Sequence, residues 1–207
     1  MPAIPELEII RRTQIMEATI ATISANGYAN VTMDDICKAA KMSKGGLAHY
    51  FKSKNDLFKA AFKEFFDRIF DRSRVTMEQF SNPIDKLLSF DWLYDANDPD
   101  AMLGYPILFD CISIAAHESG SDYKILFHEW VDNWVVLLKS ALDEAIVLGI
   151  LKQLDSESIA RTISAIYNGM ATRWYIDRNG HSSQWAIDSY TKAINGLLAP
   201  YLNKPNP

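Results

Sequence analysis

Apolar residues recur three and four positions apart along most of the chain, and this period predicts helices rather than strands. The clearest case begins at Ser53, where the apolar positions are Leu57, Phe58, Ala61, Phe62, Phe65, Phe66, Ile69 and Phe70. No stretch shows sustained alternation of apolar and polar residues, and no hairpin turn is flanked by such alternation. The pattern therefore predicts an all-α protein.

Capping and breaking residues divide this pattern into nine predicted helices. Asn26-Gly27 is read as the end of the first helix, and Gly120 and Ser121 as the end of one helix and the cap of the next. An interrupted segment is predicted from Asp98 to Pro106. The predicted helices are 6–25, one capped by Thr32, one capped by Ser43, 53–77, one from Pro83, 106–118, 122–148, 155 or 156 to 178, and 182 or 183 to 200.

Residues 32–58 place two short helices, a tight turn and the start of a long helix within fewer than thirty positions. Thr32 can cap a helix whose first turn carries Asp34 and Asp35, which suits the positive end of a helix dipole. Ser43 can cap a second helix after two intervening residues, and Ser53 with Asp56 opens the third. This layout is typical of a helix-turn-helix DNA-binding unit.

The same stretch resembles the helix-turn-helix of the TetR family of transcriptional regulators. The matching positions are Thr32, Asp35, Ile36, Ala39, Ala40, Ser43, Leu47, Tyr50, Phe51, Ser53, Lys54 and Leu57. The resemblance implies a three-helix DNA-binding head at 1–52 and a six-helix ligand-binding and dimerisation bundle at 53–202, followed by a tail at 203–207. It also implies a homodimer formed through the last two helices.

Charge is distributed unevenly between these parts. The net charge of the chain is -5, yet residues 1–60 carry eight Lys or Arg against six Asp or Glu, an excess of +2. The remaining residues carry 13 basic against 20 acidic side chains, a net charge of -7. A basic head and an acidic body suit a protein whose head meets phosphate.

The sequence gives little sign of a membrane, a secretion signal or a disulfide framework. No run of 18 apolar residues is present, and the N-terminus lacks a basic region followed by an apolar stretch, so we expect a cytoplasmic protein. Cys37 and Cys111 lie far apart in the sequence and are interpreted as buried small apolar residues, with redox sensing as the alternative.

Candidate DNA-binding residues follow from taking the helix after Ser43 as the recognition helix. Lys44 and His49 would reach bases or phosphates, or else form a solvated surface pair. The Gly45-Gly46 pair would either let the backbone approach DNA closely or ease a bend at the helix start. The resemblance adds a phosphate contact from Tyr50. The full set is Thr32, Ser43, Lys44, Gly45, Gly46, His49, Tyr50 and Lys54.

Two positions depart from the family pattern. Lys41 stands where the family usually has glycine in the turn, which implies an altered turn geometry. Ala48 stands where the family often has tyrosine, which removes one expected phosphate contact. Operator affinity and operator sequence therefore cannot be transferred from relatives.

The body is rich in aromatic residues, which are either core or the walls of a partly polar cavity between helices. The resemblance implies a small-molecule inducer among the middle helices. Carboxylates near indole rings would favour a cationic ligand, whereas a neutral or acidic apolar ligand fits the aromatic composition equally well. The candidate ligand-binding residues are Phe66, Trp92, Tyr105, Phe109, Trp130, Trp134 and Met170.

The function predicted from these features is a ligand-responsive regulator, most simply a repressor that binds a palindromic operator in double-stranded DNA as a dimer. The alternative is an activator or a nucleoid-type DNA-organising protein without induction. His128-Glu129 begins a partial zinc-protease pattern, but Asp132 replaces the second histidine, so we predict no enzyme, no metal and no cofactor.

Overall fold

The computed structural model describes residues 5–117 and 122–203, and within these ranges the chain forms nine α-helices and no β-strand. A single 3-10 turn, Tyr28–Asn30, separates the first two helices. The helices are α1 Pro5–Asn26, α2 Met33–Ala39, α3 Lys44–Tyr50, α4 Lys54–Met77, α5 Pro83–Leu88, α6 Pro99–His117, α7 Asp122–Val147, α8 Ser156–Ile176 and α9 Ser183–Leu198. The predicted all-α class is confirmed.

The short helices begin where their capping residues predict. Thr32 forms a capping box, since its side chain accepts from the Asp35 N–H at 3.3 Å and its own N–H donates to the Asp35 carboxylate at 2.9 Å. Ser43 caps α3 by accepting from the Gly46 N–H at 3.1 Å. Ser53 accepts from the Asp56 N–H at 3.0 Å and so opens α4.

The predicted interruption between Asp98 and Pro106 is wrong, because α6 begins at Pro99 and continues through Pro106. Proline fits the first turn of a helix, so Pro99 starts α6 without losing a bond. At Pro106 one backbone N–H is missing, but the helix continues nonetheless. A Cβ at Gly104 would lie 2.9 Å from Phe65 Cε1, so this glycine allows close packing of α4 against α6.

Other helix ends lie within a few residues of their predicted positions. Helix α8 ends at Ile176 and α9 at Leu198, each two residues before the predicted end. The predicted roles of Gly120 and Ser121 fall outside the described residues, as does the tail beyond residue 203.

The described residues form two compact units, and α4, α6 and α7 contribute to both. Unit 1 contains the chain up to Arg68 and the segment Met102–Phe127; unit 2 contains Ile69–Ala101 and the chain from His128. The division of the chain at residue 52 is a functional one, and it stays a prediction. Core residues of unit 1 include Ile15, Ile20, Ile36, Leu47, Phe58 and Phe62; those of unit 2 include Leu87, Tyr94, Leu142, Ile163, Trp174 and Ile194.

Candidate nucleic-acid interface and ligand cavity

Helix α3 is a short amphipathic helix that is anchored on one side and open on the other. Leu47 is 1% exposed and fixes the helix to the core of unit 1. Lys44, Gly45 and His49 are exposed, and Tyr50 is half-buried with its ring against that of His49 at 5.3 Å. Because these polar groups already face outward, α3 has the form of a recognition helix without further rearrangement.

The turn before α3 is not altered as the substitution at Lys41 implied. Lys41 adopts a left-handed conformation, with φ 53°, which is the conformation that glycine usually takes at this place. The Met42 N–H donates to the Cys37 carbonyl at 2.9 Å, and the Lys41 N–H donates to the Lys38 carbonyl at 3.2 Å. These two bonds define a Schellman ending of α2, so the turn is kept and the strain falls on the Lys41 backbone.

Lys44 forms an ion pair within the protein. Its ammonium lies 2.7 Å from Asp34 of α2, and both side chains are largely exposed. The hydrogen bond that Lys44 donates to Asp34, together with the negative charge of that carboxylate, raises the pKa of Lys44. A surface pair of this kind exchanges readily with water, so Lys44 can leave Asp34 for a phosphate or a base edge.

The two glycines of α3 differ in their surroundings. A Cβ at Gly46 would lie 3.2 Å from Ser43 Oγ and 3.4 Å from Met42 Cε, so the cap itself favours glycine there. A Cβ at Gly45 would meet nothing within 4 Å. Packing within the protein therefore explains why position 46 is a glycine, but it does not explain the glycine at position 45.

Lys54 lies at the start of α4, but its ammonium is directed toward the loop between α1 and α2. The Nζ atom donates to the Tyr28 carbonyl at 3.0 Å and lies over the rings of Tyr28 and Phe58, at 4.9 Å and 5.1 Å from their centroids. An ammonium has three donors, so a phosphate contact remains possible and stays a prediction.

Unit 2 contains a small cavity of about 10 Å³, which is room for a single water molecule. Four aromatic rings surround it, and we call Phe90, Trp134, Tyr167 and Tyr190 the aromatic cage. The complete lining is Phe90, Trp134, Leu138, Ser164, Tyr167, Asn168 and Tyr190. None of these described lining residues carries a formal charge at neutral pH.

The rings of the cage pack closely on one another. Trp134 stacks on Tyr167 with centroids 5.9 Å apart and meets Phe90 edge-on at 5.1 Å. The Tyr190 hydroxyl is buried and donates to the Leu87 carbonyl at 2.8 Å. Burial raises the pKa of Tyr190, so this hydroxyl remains a donor. In contrast, the buried Trp134 Nε1–H has no acceptor in the described part of the chain.

Comparisons with known proteins agree with this geometry. The sequence model for "Bacterial regulatory proteins, tetR family" matches residues 15–61, which contain α2, α3 and the start of α4. This segment of the chain carries the sequence signature of the TetR family. A TetR-family regulator from Cytophaga hutchinsonii superimposes with a TM-score of 0.79 at 19% identity, covering 94% of this chain and 96% of that one. At this identity the likeness concerns the fold alone.

Curated relatives match this chain over differing shares of its length. The transcriptional regulator BetI of Stenotrophomonas maltophilia is 32% identical over 47% of this chain and 48% of its own length. The regulator PksA of Bacillus subtilis is 26% identical over 81% of this chain and 80% of its own. The first four relatives are matched over only 29% to 48% of their own lengths.

A second solved structure carries a ligand. It is a transcriptional regulator from Saccharomonospora viridis in complex with choline, with a TM-score of 0.77 at 17% identity, covering 93% of this chain and 98% of that one. In this chain, no helix of the described residues is long and apolar enough to cross a membrane.

Of the seven predicted ligand-binding residues, only Trp134 lines the cavity in unit 2. Trp130 packs edge-on against Trp134 at 5.5 Å, and Trp92 lies beneath the Arg72 guanidinium at 3.8 Å. Met170 also belongs to unit 2, whereas Phe66, Tyr105 and Phe109 belong to unit 1. Their role in ligand binding stays a prediction.

Sequence reasoning missed three rings of the cage. Phe90 falls between α5 and a 3-10 turn, where no helical period marks a buried face. Tyr167 and Tyr190 belong to helices that were assigned to the dimer interface. Their spacing of three or four residues from buried Ile163, Ser164 and Ile194 could have indicated that they face the core.

Arg72 of α4 connects three parts of unit 2. Its guanidinium forms two hydrogen bonds with Asp98, one of them at 3.0 Å, and a further bond with Asp100 at 3.2 Å. Burial alone would raise the pKa of Asp98, but the bonds from Arg72 and from the backbone N–H groups of Asp100 and Ala101 outweigh it and lower that pKa. The start of α6 is thereby tied to α4.

Proposed function

We propose that the chain is a dimeric transcriptional regulator that represses genes from a palindromic operator and is released by a small molecule. The observation that carries this proposal is the exposed face of α3 within the family-matched segment. There a buried Leu47 holds Lys44, Gly45 and His49 toward solvent. We assign the protein no catalytic activity.

Contacts to DNA would come from a surface that we call the reading surface. It comprises Thr32, Ser43, Lys44, Gly45, Gly46, His49 and Tyr50. Lys44 and His49 would donate to base edges or phosphates, and Tyr50 would donate to a phosphate. The hydroxyls of Thr32 and Ser43 cap their helices and can donate to phosphate at the same time. Lys54 would add a phosphate contact with a remaining donor.

The dimer would form through α8 and α9. The exposed side of α8 presents small residues, including Ala165 and Gly169, and Ile176 at its end is 71% exposed. Small side chains allow a second copy to approach closely, and a two-fold axis would set two α3 helices about 34 Å, or a multiple of it, apart along DNA. This spacing requires a palindromic operator.

The inducer would enter the aromatic cage and widen it. The buried Trp134 Nε1–H lacks an acceptor, and the lining lacks a carboxylate. Such a site favours a neutral or weakly acidic apolar molecule with a hydrogen-bond acceptor. The choline held by the Saccharomonospora viridis regulator makes a cationic ligand the alternative.

Release of DNA would follow if the ligand binds the widened form more tightly than the closed form. Helix α4 carries residues of both units, with Lys54 at its start and Arg72 in its second half. A shift of α4 would change the separation of the two α3 helices in the dimer. The heads would then no longer match successive major grooves.

The first experiment measures binding to the DNA upstream of the coding region by fluorescence anisotropy at several salt concentrations. Lys44→Ala should weaken binding and lower the salt slope by about 1, because one phosphate contact is lost. Lys63→Ala is the matched control, since Lys63 is also exposed and paired with a carboxylate, Asp67. Equal loss in both variants, or no preference for upstream over random DNA, contradicts the proposal and favours a nucleoid-type binder.

The second experiment tests the inducer class. Thermal unfolding and operator release are measured with benzoate-like acids, neutral phenols and choline. Trp134→Phe removes the Nε1–H and keeps an aromatic ring, so it should weaken the response to acceptor-bearing ligands. A response to choline alone that survives Trp134→Phe would favour the cationic alternative.

A further inference from the structure

The backbone of Tyr28 is held on both sides by side chains from other helices of unit 1. Its N–H donates to Asp110 Oδ2 of α6 at 2.7 Å. Its carbonyl accepts from Lys54 Nζ of α4 at 3.0 Å. We call Tyr28, Asp110 and Lys54 the Tyr28 clamp.

The ring of Tyr28 also contacts side chains from other helices of unit 1. It meets Phe58 of α4 edge-on at 5.3 Å and Tyr123 of α7 edge-on at 5.8 Å. The Lys54 ammonium lies over both the Tyr28 and the Phe58 rings. Burial raises the pKa of Asp110, although the bond from the Tyr28 N–H acts in the opposite direction. The Asp110 and Lys54 side chains therefore make partly buried polar contacts with the Tyr28 backbone in an otherwise aromatic setting.

Tyr28 lies in the short connection between α1 and α2. It follows Gly27, whose φ of 78° reverses the chain after α1, and it lies four residues before the cap of α2. Val31, between Tyr28 and Thr32, is 1% exposed and leaves little freedom in the connection. Where Tyr28 lies thus determines where α2 and then α3 begin.

We propose that Asp110 and Lys54 are positioning residues for DNA recognition, acting on the reading surface through the backbone of Tyr28. The inference rests on the proposed function, because it concerns how the reading surface is held. Asp110 lies on α6 next to Phe109, so a displacement of α6 would be felt directly at Tyr28. In this role Lys54 acts through the protein, whereas the phosphate contact predicted for it acts on DNA.

These two roles of Lys54 make different predictions about salt. A phosphate contact contributes about 1 to the salt slope of DNA binding, and its loss lowers that slope. A positioning residue changes the affinity without changing the number of phosphates contacted. Lys54→Met is the suitable variant, because it removes the charge and keeps an apolar stem against the rings.

At Asp110, the loss of charge and the loss of positioning should change the affinity for DNA in opposite directions. Removing a negative charge from a DNA-binding unit favours association with DNA. Losing the bond to the Tyr28 N–H frees the loop and should weaken association. A hydrogen bond to a charged group typically corresponds to about a tenfold change in an equilibrium constant or somewhat more. We therefore expect Asp110→Ala to weaken operator binding about tenfold, and Asp110→Asn, which keeps an acceptor, to weaken it less.

The experiment uses the full chain and two readouts. Hydrogen exchange of the peptide containing residues 27–32 reports the clamp itself, and anisotropy with the upstream DNA fragment reports recognition. Lys59→Met and Asp122→Ala are matched controls, because this exposed ion pair also joins α4 to another helix of unit 1. The clamp variants should lose protection at 27–32 and weaken binding, with at most a small change in the thermal midpoint, and the salt slope should stay unchanged in Asp110→Ala. The controls should do neither.

Two results would overturn the proposal. One is unchanged exchange at 27–32 in Asp110→Ala. The other is a salt slope lowered by about 1 in Lys54→Met with full protection retained, which would assign Lys54 to phosphate alone. If the wild-type protein does not bind the DNA fragment, the proposed function fails, while the exchange readout still decides whether the clamp holds the loop. If Asp110→Ala is too unstable to purify, Asp110→Asn tests the same bond, with a smaller expected loss of protection and of binding.

Discussion

The reading surface and the aromatic cage are built in opposite ways. Lys44, Gly45 and His49 of the reading surface are exposed, and the ion pair between Lys44 and Asp34 lies at the surface. In the cage, Trp134 is 6% exposed and Tyr190 is 3% exposed, and the space between the rings is about 10 Å³. The reading surface is therefore exposed to solvent, whereas the cage is filled by its own side chains.

This difference has a consequence for the proposed regulation. If the reading surface contacts DNA as we propose, binding would displace little more than the exposed Lys44–Asp34 pair. A ligand in the cage would require its rings to move, so ligand binding would change the packing of unit 2. The free energy of that opening would lower the ligand affinity.

The largest expected effect concerns the cage. Trp134→Ala should lower the free energy of unfolding by about 3–5 kcal/mol, because it leaves a large hole among closely packed rings. Val136→Ala is the control on the same helix, since Val136 is 66% exposed, and its effect should stay below about 0.5 kcal/mol. Chemical denaturation measures both. A loss below about 1 kcal/mol for Trp134→Ala would mean that the cage is a loose pocket, and the contrast with the reading surface would disappear.

The second prediction compares a partly buried ion pair of unit 2 with the exposed pair of the reading surface. Asp98→Asn should lower the free energy of unfolding by about 1–2 kcal/mol near neutral pH, since Arg72 loses one of its two charged acceptors. Asp34→Asn, at the exposed pair, should leave the denaturation midpoint unchanged. A shift in the midpoint of Asp34→Asn equal to that of Asp98→Asn would contradict the distinction.

The pH dependence of this effect has a defined sign. The folded state lowers the pKa of Asp98, so its contribution to stability is fully present above the unfolded pKa of about 3.9. It is lost as the pH falls through the lower pKa of the folded state. The difference between wild type and Asp98→Asn should therefore be constant above about pH 5 and shrink below about pH 4. A difference that persists at the lowest pH would exclude the ionised carboxylate as its source.

The two regions also differ in how far their sequence predicts them. The reading surface is encoded locally: Thr32, Ser43 and Ser53 cap helices at fixed spacing, and each cap was predicted and confirmed. The cage is assembled from Phe90, Trp134, Tyr167 and Tyr190, which are up to 100 positions apart. Helical period indicates that such residues are buried, but it does not indicate which of them meet.

Two errors have the same physical origin. The preference of proline for the first turn of a helix predicted a helix start at Pro106, yet α6 begins at Pro99 and continues past Pro106. Lys41 indicated an altered turn, yet the Schellman bonds keep the turn and place the residue in a left-handed conformation. In both cases the surrounding structure outweighs a local preference of about 1–3 kcal/mol.

A smaller effect separates the two glycines of α3. Gly45→Ala should raise the free energy of unfolding by up to about 1 kcal/mol, because a Cβ there meets nothing and alanine favours the helix. The same change should weaken operator binding if the bare backbone at Gly45 approaches DNA. Gly46→Ala is the matched control: its Cβ would press on the capping Ser43, so it should not stabilise the protein.

Chemical denaturation and DNA-binding anisotropy, measured on the same preparations, distinguish the two explanations for a glycine at position 45. Greater stability with weaker DNA binding indicates that the glycine is retained for contact with DNA. Greater stability with unchanged binding would assign the glycine to an easy bend and remove Gly45 from the reading surface.

The smallest effect concerns Lys41, in the turn directly before the reading surface, where the backbone carries a strain that the cage does not. Lys41→Gly and Lys41→Ala remove the same charge and differ only in whether a Cβ remains at a φ of 53°. The glycine variant should be more stable than the alanine variant by about 1 kcal/mol, because a left-handed conformation disfavours a Cβ by about that amount. Both should lose the same operator affinity, since both lose one cation. Equal stability of the two variants would mean that the turn relaxes away from its left-handed form. A difference in DNA affinity would instead show that the position of α3 depends on how well this turn is held.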